Sequence, residues 1–182
     1  YRYSNVASPS VNLQTRQSKA ALALAFNPEE NPFLDEALRE QSAVLRNPEA
    51  VLFDRLSQSD YGPIEALLRA NGGLKVDVER KQAEVKGLFS MGPTLSASAN
   101  LVMSDEAWFR YRSDLPRNMA NVGVITLRPG ADPEAAAAKL RAMLPDDVRV
   151  VTRQAFLKQE QTYWNKRTPV GFVVGAGMLV GM

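Results

Sequence analysis

The sequence of 182 residues predicts an α+β fold on three observations. Residues 74–89 alternate apolar and charged side chains around a charged turn at Arg80 and Lys81, which indicates a β-hairpin with one solvated face. Residues 122–152 have the pattern strand, helix, strand, a β-α-β unit whose strands are expected to lie parallel with a right-handed crossover. The last fourteen residues, 169–182, carry no charge. A hairpin-containing region and a β-α-β unit therefore precede an apolar C-terminal segment.

The first half of the chain is predicted to mix short strands and helices. Residues 20–26 alternate large and small apolar side chains, which is typical of a strand. Residues 33–46 place apolar side chains at mixed helical spacing, and residues 51–53 form a short apolar run that predicts a buried strand. Pro63 is expected to begin a helix that ends at the Gly-Gly pair 72–73, because proline suits the first helical position and glycine the C-terminal cap.

A loop, a strand and a short helix are predicted after the hairpin. Residues 90–99 carry no charge and no periodicity, which favours a loop, and residues 101–103 predict a strand. Ser104 is expected to cap a short helix that contains Trp108 and Phe109. Because aromatic side chains dominate binding hot spots, these two rings are candidate partner contacts; the alternative is that both pack in the core.

The predicted β-α-β unit has the clearest start and stop signals of any segment in the chain. Its first strand covers 122–127, and a Pro-Gly turn at 129–130 follows. Asp132 is expected to cap the helix, Pro145 to end it, and residues 148–151 to form the second strand. The helix is therefore predicted to connect two parallel neighbours.

The uncharged C-terminal run is predicted to be the start of a transmembrane helix. Glycines at four positions in residues 169–182 would weaken a water-soluble helix, whereas small residues four apart allow close packing of helices in lipid. Gly171 and Gly175 have this spacing, as do Gly177 and Gly181. A run of fourteen residues is shorter than the ~20 that span a bilayer, so a buried segment of a soluble protein is the alternative.

Tyr163 and Trp164 precede this run by a few residues and are candidate membrane-interface anchors, since amphipathic rings collect at the headgroup level. The other interpretation is a contact between the last helix, which Thr152 is expected to cap, and a protein core. The cations at 166–167 would favour the cytoplasmic side by the positive-inside rule, against an extracytoplasmic placement.

Composition and motifs argue against most enzyme classes. The chain has no cysteine and no histidine, which removes thiol nucleophiles, imidazole bases and His-ligated metals. The phosphate-binding, serine-hydrolase and EF-hand motifs are absent, so neither a catalytic residue nor a metal nor a cofactor is assigned. The acidic pair at 146–147 is interpreted as a solvated turn, and Ser96 and Ser98 as loop residues without a base. A net charge of +2 does not favour nucleic-acid binding.

A series of short motifs along the chain resembles the extracytoplasmic domain of ABC-transporter permeases of the MacB and FtsX type, and among these the DevC-like permeases of exporters. The motifs, in order, are Leu52-Phe53-Asp54-Arg55, Tyr61-Gly62-Pro63-Ile64, Gly87-Leu88-Phe89, Asn100-Leu101 with Ser104-Asp105, Leu127-Arg128-Pro129-Gly130-Ala131-Asp132, Leu144-Pro145 with Asp147-Val148, and Tyr163-Trp164 with Thr168-Pro169-Val170-Gly171-Phe172. The resemblance covers roughly residue 20 to the C-terminus.

The resemblance implies a two-lobed MacB-like domain. Residues 1–19 would belong to an incomplete membrane-proximal lobe, 20–118 to an inserted mixed α/β distal lobe, 119–167 to the membrane-proximal β-α-β lobe with its connecting helix, and 168–182 to the start of a transmembrane helix. The family would place a first membrane helix before residue 1. Without the first β-α part of the proximal lobe, the sheet edge of the β-α-β unit is expected to be unpaired.

The resemblance also implies a transport component without catalysis of its own. A separate ATPase subunit would supply the energy, and the partners would be a membrane-fusion adaptor protein, indirectly an outer-membrane TolC-like duct, and a second permease subunit. The protein would lie in the inner membrane with this domain in the periplasm. Tyr163, Trp164, Pro169 and Gly171, with Gly175, would form the membrane-interface and coupling site, or serve as ordinary interface anchors.

Two other classes of function remain open at the level of sequence. A soluble periplasmic binding or scaffold module would pack the uncharged run 169–182 in its own core. An enzyme using carboxylates or lysine is the third hypothesis, which the missing motifs disfavour.

Overall fold

The computed structural model describes residues 2–9, 18–33, 35–92, 97–118 and 120–167. The chain forms two compact units, Tyr1–Val124 and Ile125–Met182. The first unit contains a mixed sheet flanked by helices, and the described part of the second, up to residue 167, contains two helices, so the predicted α+β class is confirmed. The division falls inside the segment that the sequence predicts as the first strand of the β-α-β unit.

The sheet of the first unit has six strands in the order β1-β2-β6-β3-β5-β4 within the described residues. Strands β2 and β6 are parallel, as are β3 and β5, whereas the other three neighbouring pairs are antiparallel. The strands are β1 Arg2–Pro9, β2 Ser18–Phe26, β3 Ala50–Asp54, β4 Leu74–Val78, β5 Lys81–Phe89 and β6 Asn100–Ser104.

Five α-helices lie in the described part of the chain, and short 3-10 helices cover Pro28–Glu30, Ser42–Arg46 and Ser59–Tyr61. Several predicted caps are confirmed: Ser104 accepts from the Ala107 N–H at 3.1 Å, and Asp132 from the Glu134 N–H at 2.9 Å. The helices are α1 Glu36–Gln41, α2 Ile64–Asn71, α3 Asp105–Tyr111, α4 Pro133–Met143 and α5 Arg153–Arg167.

The core of the first unit lies on both faces of the sheet. Val51 and Phe53 of β3 point to one face, where they belong to the same buried cluster as Trp108. Leu52 points to the other face and packs in a second cluster with Leu45. All five residues of β3 are buried, which is the pattern expected of a strand covered on both sides.

The β4–β5 hairpin is confirmed, but its turn lies one residue earlier than predicted. The turn residues are Glu79 and Arg80, with φ angles of 49° and 63°. A two-residue hairpin turn with both residues left-handed matches the right-handed twist of the strands, and it favours Asn-Gly. The strand pairing, Val78 with Lys81, therefore decides the turn position against local turn preference.

The β-α-β prediction is wrong for its strands and correct for its helix. Within the described part of the second unit, no residue forms a strand, although α4 begins and ends as predicted. A strand needs a neighbouring strand to pair its backbone groups, and no such neighbour is present among the described residues. Segment 148–151 is held instead by α4, whose Arg141 Nε donates to the Val150 carbonyl at 3.0 Å. Val148 is 46% exposed.

No helix among the described residues combines the length and apolarity that a membrane crossing requires. The predicted start of the transmembrane helix, 168–182, lies outside the described residues.

Replacing the second turn residue by glycine is expected to stabilise the first unit. Arg80→Gly removes the steric cost of a left-handed side chain and should raise the free energy of unfolding by about 0.5–1 kcal/mol. Arg80→Ala keeps the strain and is the matched control. Urea unfolding measures the stability of both variants. Equal stabilisation by alanine would show that the loss of the arginine side chain, and not the relief of the left-handed backbone conformation, is responsible.

Candidate functional site at the end of the third strand

The sheet topology brings three chain segments together along one edge of the sheet, the edge at which the central strands β3 and β5 end. Strands β3 and β5 are parallel, so both end at this edge, and β6 runs antiparallel to β3, so it begins there. The residue that ends β3 is Asp54, and the residue that begins β6 is Asn100. The edge therefore combines a carboxylate, an amide side chain and the loop that follows β5.

Asp54 is fully buried and its carboxylate accepts four N–H donors. Its Oδ1 accepts from the backbone N–H groups of Leu56 and Met91, both at 3.0 Å. Its Oδ2 accepts from the Gly92 N–H and from the Asn100 side-chain amide, both at 2.7 Å. A buried charge is costly unless such bonds satisfy it, so this carboxylate fixes the geometry of everything that donates to it.

Asn100 extends the same cluster. Its Nδ2 donates to the Gly92 carbonyl at 2.6 Å as well as to Asp54, and Gly92 has a φ of 91°, a left-handed conformation suited to glycine. The Asn100 Oδ1 is buried and accepts no hydrogen bond from the described groups. The loop after β5 is thus anchored to both β3 and β6 by side chains.

A cleft with a volume of about 510 Å³ lies beside Asp54. Its deepest side chains are apolar: Phe53, Tyr61 and Ile64 line it and are each no more than 5% exposed. The Phe53 and Tyr61 rings meet edge to face, with centroids 5.8 Å apart, and the Tyr61 hydroxyl donates to the Ala20 carbonyl at 3.1 Å. Burial raises the pKa of Tyr61 above its ordinary value.

The rim of the cleft is polar. The Arg69 guanidinium pairs with Glu65 at 2.5 Å along α2, and Ser57, Gln58 and Ser59 also line the opening. Helix α2 begins here after Pro63 without a side-chain cap. An apolar floor with a polar rim is the usual composition of a recognition site for an amphipathic ligand or a partner side chain.

The chemistry of the cluster favours positioning over proton transfer or metal binding. Both oxygens of Asp54 are occupied by N–H donors, which leaves little capacity to accept a substrate proton or hold a cation. Among the described residues, no group of three or more acidic, cysteine or histidine side chains could hold a metal ion.

The structure places the candidate partner contacts Trp108 and Phe109 in the core. They lie on α3 and are 1% and 8% exposed, so neither ring is available to a partner. Tyr163 and Trp164 lie in the last turns of α5, and their side chains are outside the description. Pro169, Gly171 and Gly175 lie outside the described residues altogether, so the predicted coupling site stays a prediction.

Sequence reasoning did not select Asp54 or Asn100. One signal was present in the sequence, because the charged residue Asp54 directly follows the apolar run 51–53. In addition, the motifs 52–55 and 61–64 supply about half of the residues that line the cleft. What was missing is the pairing of β3 with β6, which no local pattern encodes.

Comparison with known proteins gives no neighbour for this arrangement. No family model, no curated protein and no solved structure matches the chain.

Removing the charge of Asp54 is expected to destabilise the first unit strongly. Asp54→Asn directs an amide NH2 at N–H donors and should lower the free energy of unfolding by about 2–3 kcal/mol. The control is Asp114→Asn, which weakens the pair between a carboxylate that is 62% exposed and Arg112, and should lower the free energy of unfolding much less. Equal effects in urea unfolding would contradict a special role for Asp54.

The buried phenols are expected to make the protein sensitive to alkali. Burial raises the pKa of Tyr61 and of Tyr111, so the unfolded chain releases these protons first, near a pKa of about 10. The free energy of unfolding should therefore be unaffected by these groups below that pH and fall as pH rises through it. In the double variant Tyr61→Phe, Tyr111→Phe the fall should be smaller; identical pH slopes from urea unfolding would contradict this.

Proposed function

We propose that this chain is the extracytoplasmic domain of an ABC exporter permease subunit, which couples ATP-driven movement of membrane helices to a periplasmic adaptor protein. The observation that carries the proposal is helix α5. Every described side chain from 153 to 162 on it is exposed, and Phe156 and Leu157 are each 50% exposed. The uncharged run begins two residues after Arg167, the last described residue of α5.

A helix whose described side chains, those of residues 153–162, are all exposed needs another source of stability. Isolated helices of about 12–15 residues are marginal in water, and α5 has 15 residues. Continuation into an apolar segment that is helical in lipid would stabilise it, because the membrane holds that segment helical. Such a helix would act as a stiff rod of about 1.5 Å per residue between the membrane and the folded unit.

The partners and residue roles of this proposal follow the resemblance of the sequence motifs. A separate ATPase subunit hydrolyses ATP, the permease forms a homodimer in the inner membrane, and the periplasmic adaptor links it to a TolC-like duct. Tyr163 and Trp164 lie at the membrane interface, and Pro169, Gly171 and Gly175 form the joint through which the helix is moved.

A soluble periplasmic binding or scaffold module is the second candidate. The cleft of about 510 Å³ beside Asp54 is the observation that favours it, since its size and apolar floor suit a small ligand. In that case no membrane segment would be needed.

Thiol labelling of the full-length protein in its native host separates the two, because the chain has no cysteine of its own. Ala138 is exposed on α4, and its neighbour Ala137 is 4% exposed, so Ala138→Cys and Ala137→Cys form a matched pair. In a full-length chain without other cysteines, a membrane-impermeant maleimide should label position 138 in intact cells and label position 137 much more slowly. The protein should remain in membranes after an alkaline carbonate wash.

Two results would contradict the proposal. Release of the protein by osmotic shock without detergent would favour the soluble module. Labelling at position 138 only after cell lysis would place the domain on the cytoplasmic side.

A further inference from the structure

The cleft beside Asp54 lies between the end of β3, a 3-10 helix and the start of α2. Its volume of about 510 Å³ falls within the range of roughly 300–1,000 Å³ that is usual for small-molecule sites. The floor consists of the buried side chains of Phe53, Tyr61 and Ile64. Their one polar atom, the Tyr61 hydroxyl oxygen, is engaged, since the hydroxyl donates to the Ala20 carbonyl. The floor side chains therefore offer an incoming molecule apolar contact.

Among the described residues, four charged side chains line the cleft, and three of them are engaged elsewhere. Asp54 accepts N–H donors at both of its oxygens. Glu65 pairs with Arg69 at 2.5 Å along α2. The fourth is Arg55, and no described carboxylate lies within ion-pair distance of its guanidinium. The lining thus combines an apolar floor with one positive charge that has no described partner.

The position of Arg55, and not the lack of a partner, distinguishes it from other arginines. Arg39 on α1 is also exposed and has no described carboxylate partner, but it is not among the residues that line the cleft. The backbone of Arg55 is fixed at the end of β3, because its N–H donates to the Phe89 carbonyl at 2.9 Å. A guanidinium so placed can bind a carboxylate through two parallel hydrogen bonds.

The charges of the lining discriminate between classes of ligand. A cation would be repelled by Arg55, and the carboxylates that could offset this repulsion are already paired. A neutral apolar molecule would fill the floor but would displace water from the guanidinium without replacing its hydrogen bonds, which costs free energy. An anion with an apolar body satisfies both the floor and the rim.

We propose that the cleft binds a small amphipathic carboxylate, an aromatic or alkyl group that ends in a single negative charge. The apolar part lies on the floor of Phe53, Tyr61 and Ile64, and the carboxylate pairs with Arg55. One guanidinium without a partner matches one negative charge. The inference goes beyond both candidate functions and depends on neither, since it concerns the cleft of the first unit alone.

Two matched probes test the role of charge. They are 4-phenylbutyrate and its neutral amide, 4-phenylbutanamide, which share the ring and the chain and differ in the charge of the end group. Ligand-detected NMR with the full-length protein in lipid nanodiscs, corrected for empty nanodiscs, gives both dissociation constants. The carboxylate should bind at least about tenfold more tightly than the amide, because hydrogen bonds between charged groups are stronger than those between neutral ones.

A first pair of variants assigns the charge to one residue. Arg55→Met keeps an apolar stem and removes the guanidinium, so it should weaken binding of 4-phenylbutyrate at least about tenfold and leave binding of the amide unchanged. Arg39→Met removes an equally exposed charge outside the cleft lining and should change neither dissociation constant.

A second pair of variants locates the probe in the cleft. Ala66 and Ala70 are both exposed on α2, but only Ala66 lines the cleft. Ala66→Trp should obstruct the cleft and abolish binding of 4-phenylbutyrate, whereas Ala70→Trp should leave its dissociation constant unchanged. Urea unfolding midpoints close to that of the parent chain establish that all four variants are folded.

Four results would overturn the proposal. Equal affinity for the two probes would show that the cleft does not recognise the charge. Equal losses in Arg55→Met and Arg39→Met would indicate a general electrostatic effect, and binding that survives Ala66→Trp would place the probe elsewhere. Absence of binding by the folded parent protein at about 10 mM 4-phenylbutyrate would refute the ligand class. Each of these results leaves the proposed transport function in place, because none of them depends on membrane attachment.

Discussion

The hydrogen bonds to the buried carboxylate of Asp54 are the interaction on which the rest of the first unit depends. They join the end of β3 to the loop after β5 and to the start of β6, which lie 37 to 46 residues further along the chain. A buried carboxylate that has no contact with water must accept hydrogen bonds from fixed donors. Because the two loops supply these donors, their backbones are held in place. The same bonds fix the backbone positions of Leu56, Met91 and Gly92.

The two units differ in how much of their apolar surface they bury. In the first, both faces of β3 are covered, and side chains such as Trp108 and Leu45 are almost fully buried. In the described part of the second, Ala137 is the one buried apolar side chain, while Met143 is 70% exposed. The described part of the second unit gains little from burial by itself, and this supports the proposal that α5 leads into a membrane segment.

Local patterns predict much of the first unit and little of the site. Alternation along 74–89 predicts the hairpin, and the caps at Ser104 and Asp132 follow from local hydrogen bonding. The turn at Glu79 and Arg80 is not predictable in this way, because strand register overrides the preference for glycine. The role of Asp54 depends on β3 lying between β5 and β6, a long-range pairing that a charged residue at a strand end does not specify. The segments 122–127 and 148–151 have a composition typical of strands. A strand also needs a neighbouring strand that pairs its backbone groups, and local composition does not predict whether one is present.

Amide hydrogen exchange of the wild-type protein tests the central claim most directly. If Asp54 holds both loops, the amide hydrogens of Leu56, Met91 and Gly92 should exchange as slowly as those of the buried strand β3, because they open only when the core opens. Exchange at the rate of an exposed loop amide without a described hydrogen-bond partner, such as that of Gly123, would show that the carboxylate does not order these segments, and the role assigned to Asp54 in the candidate site would be wrong.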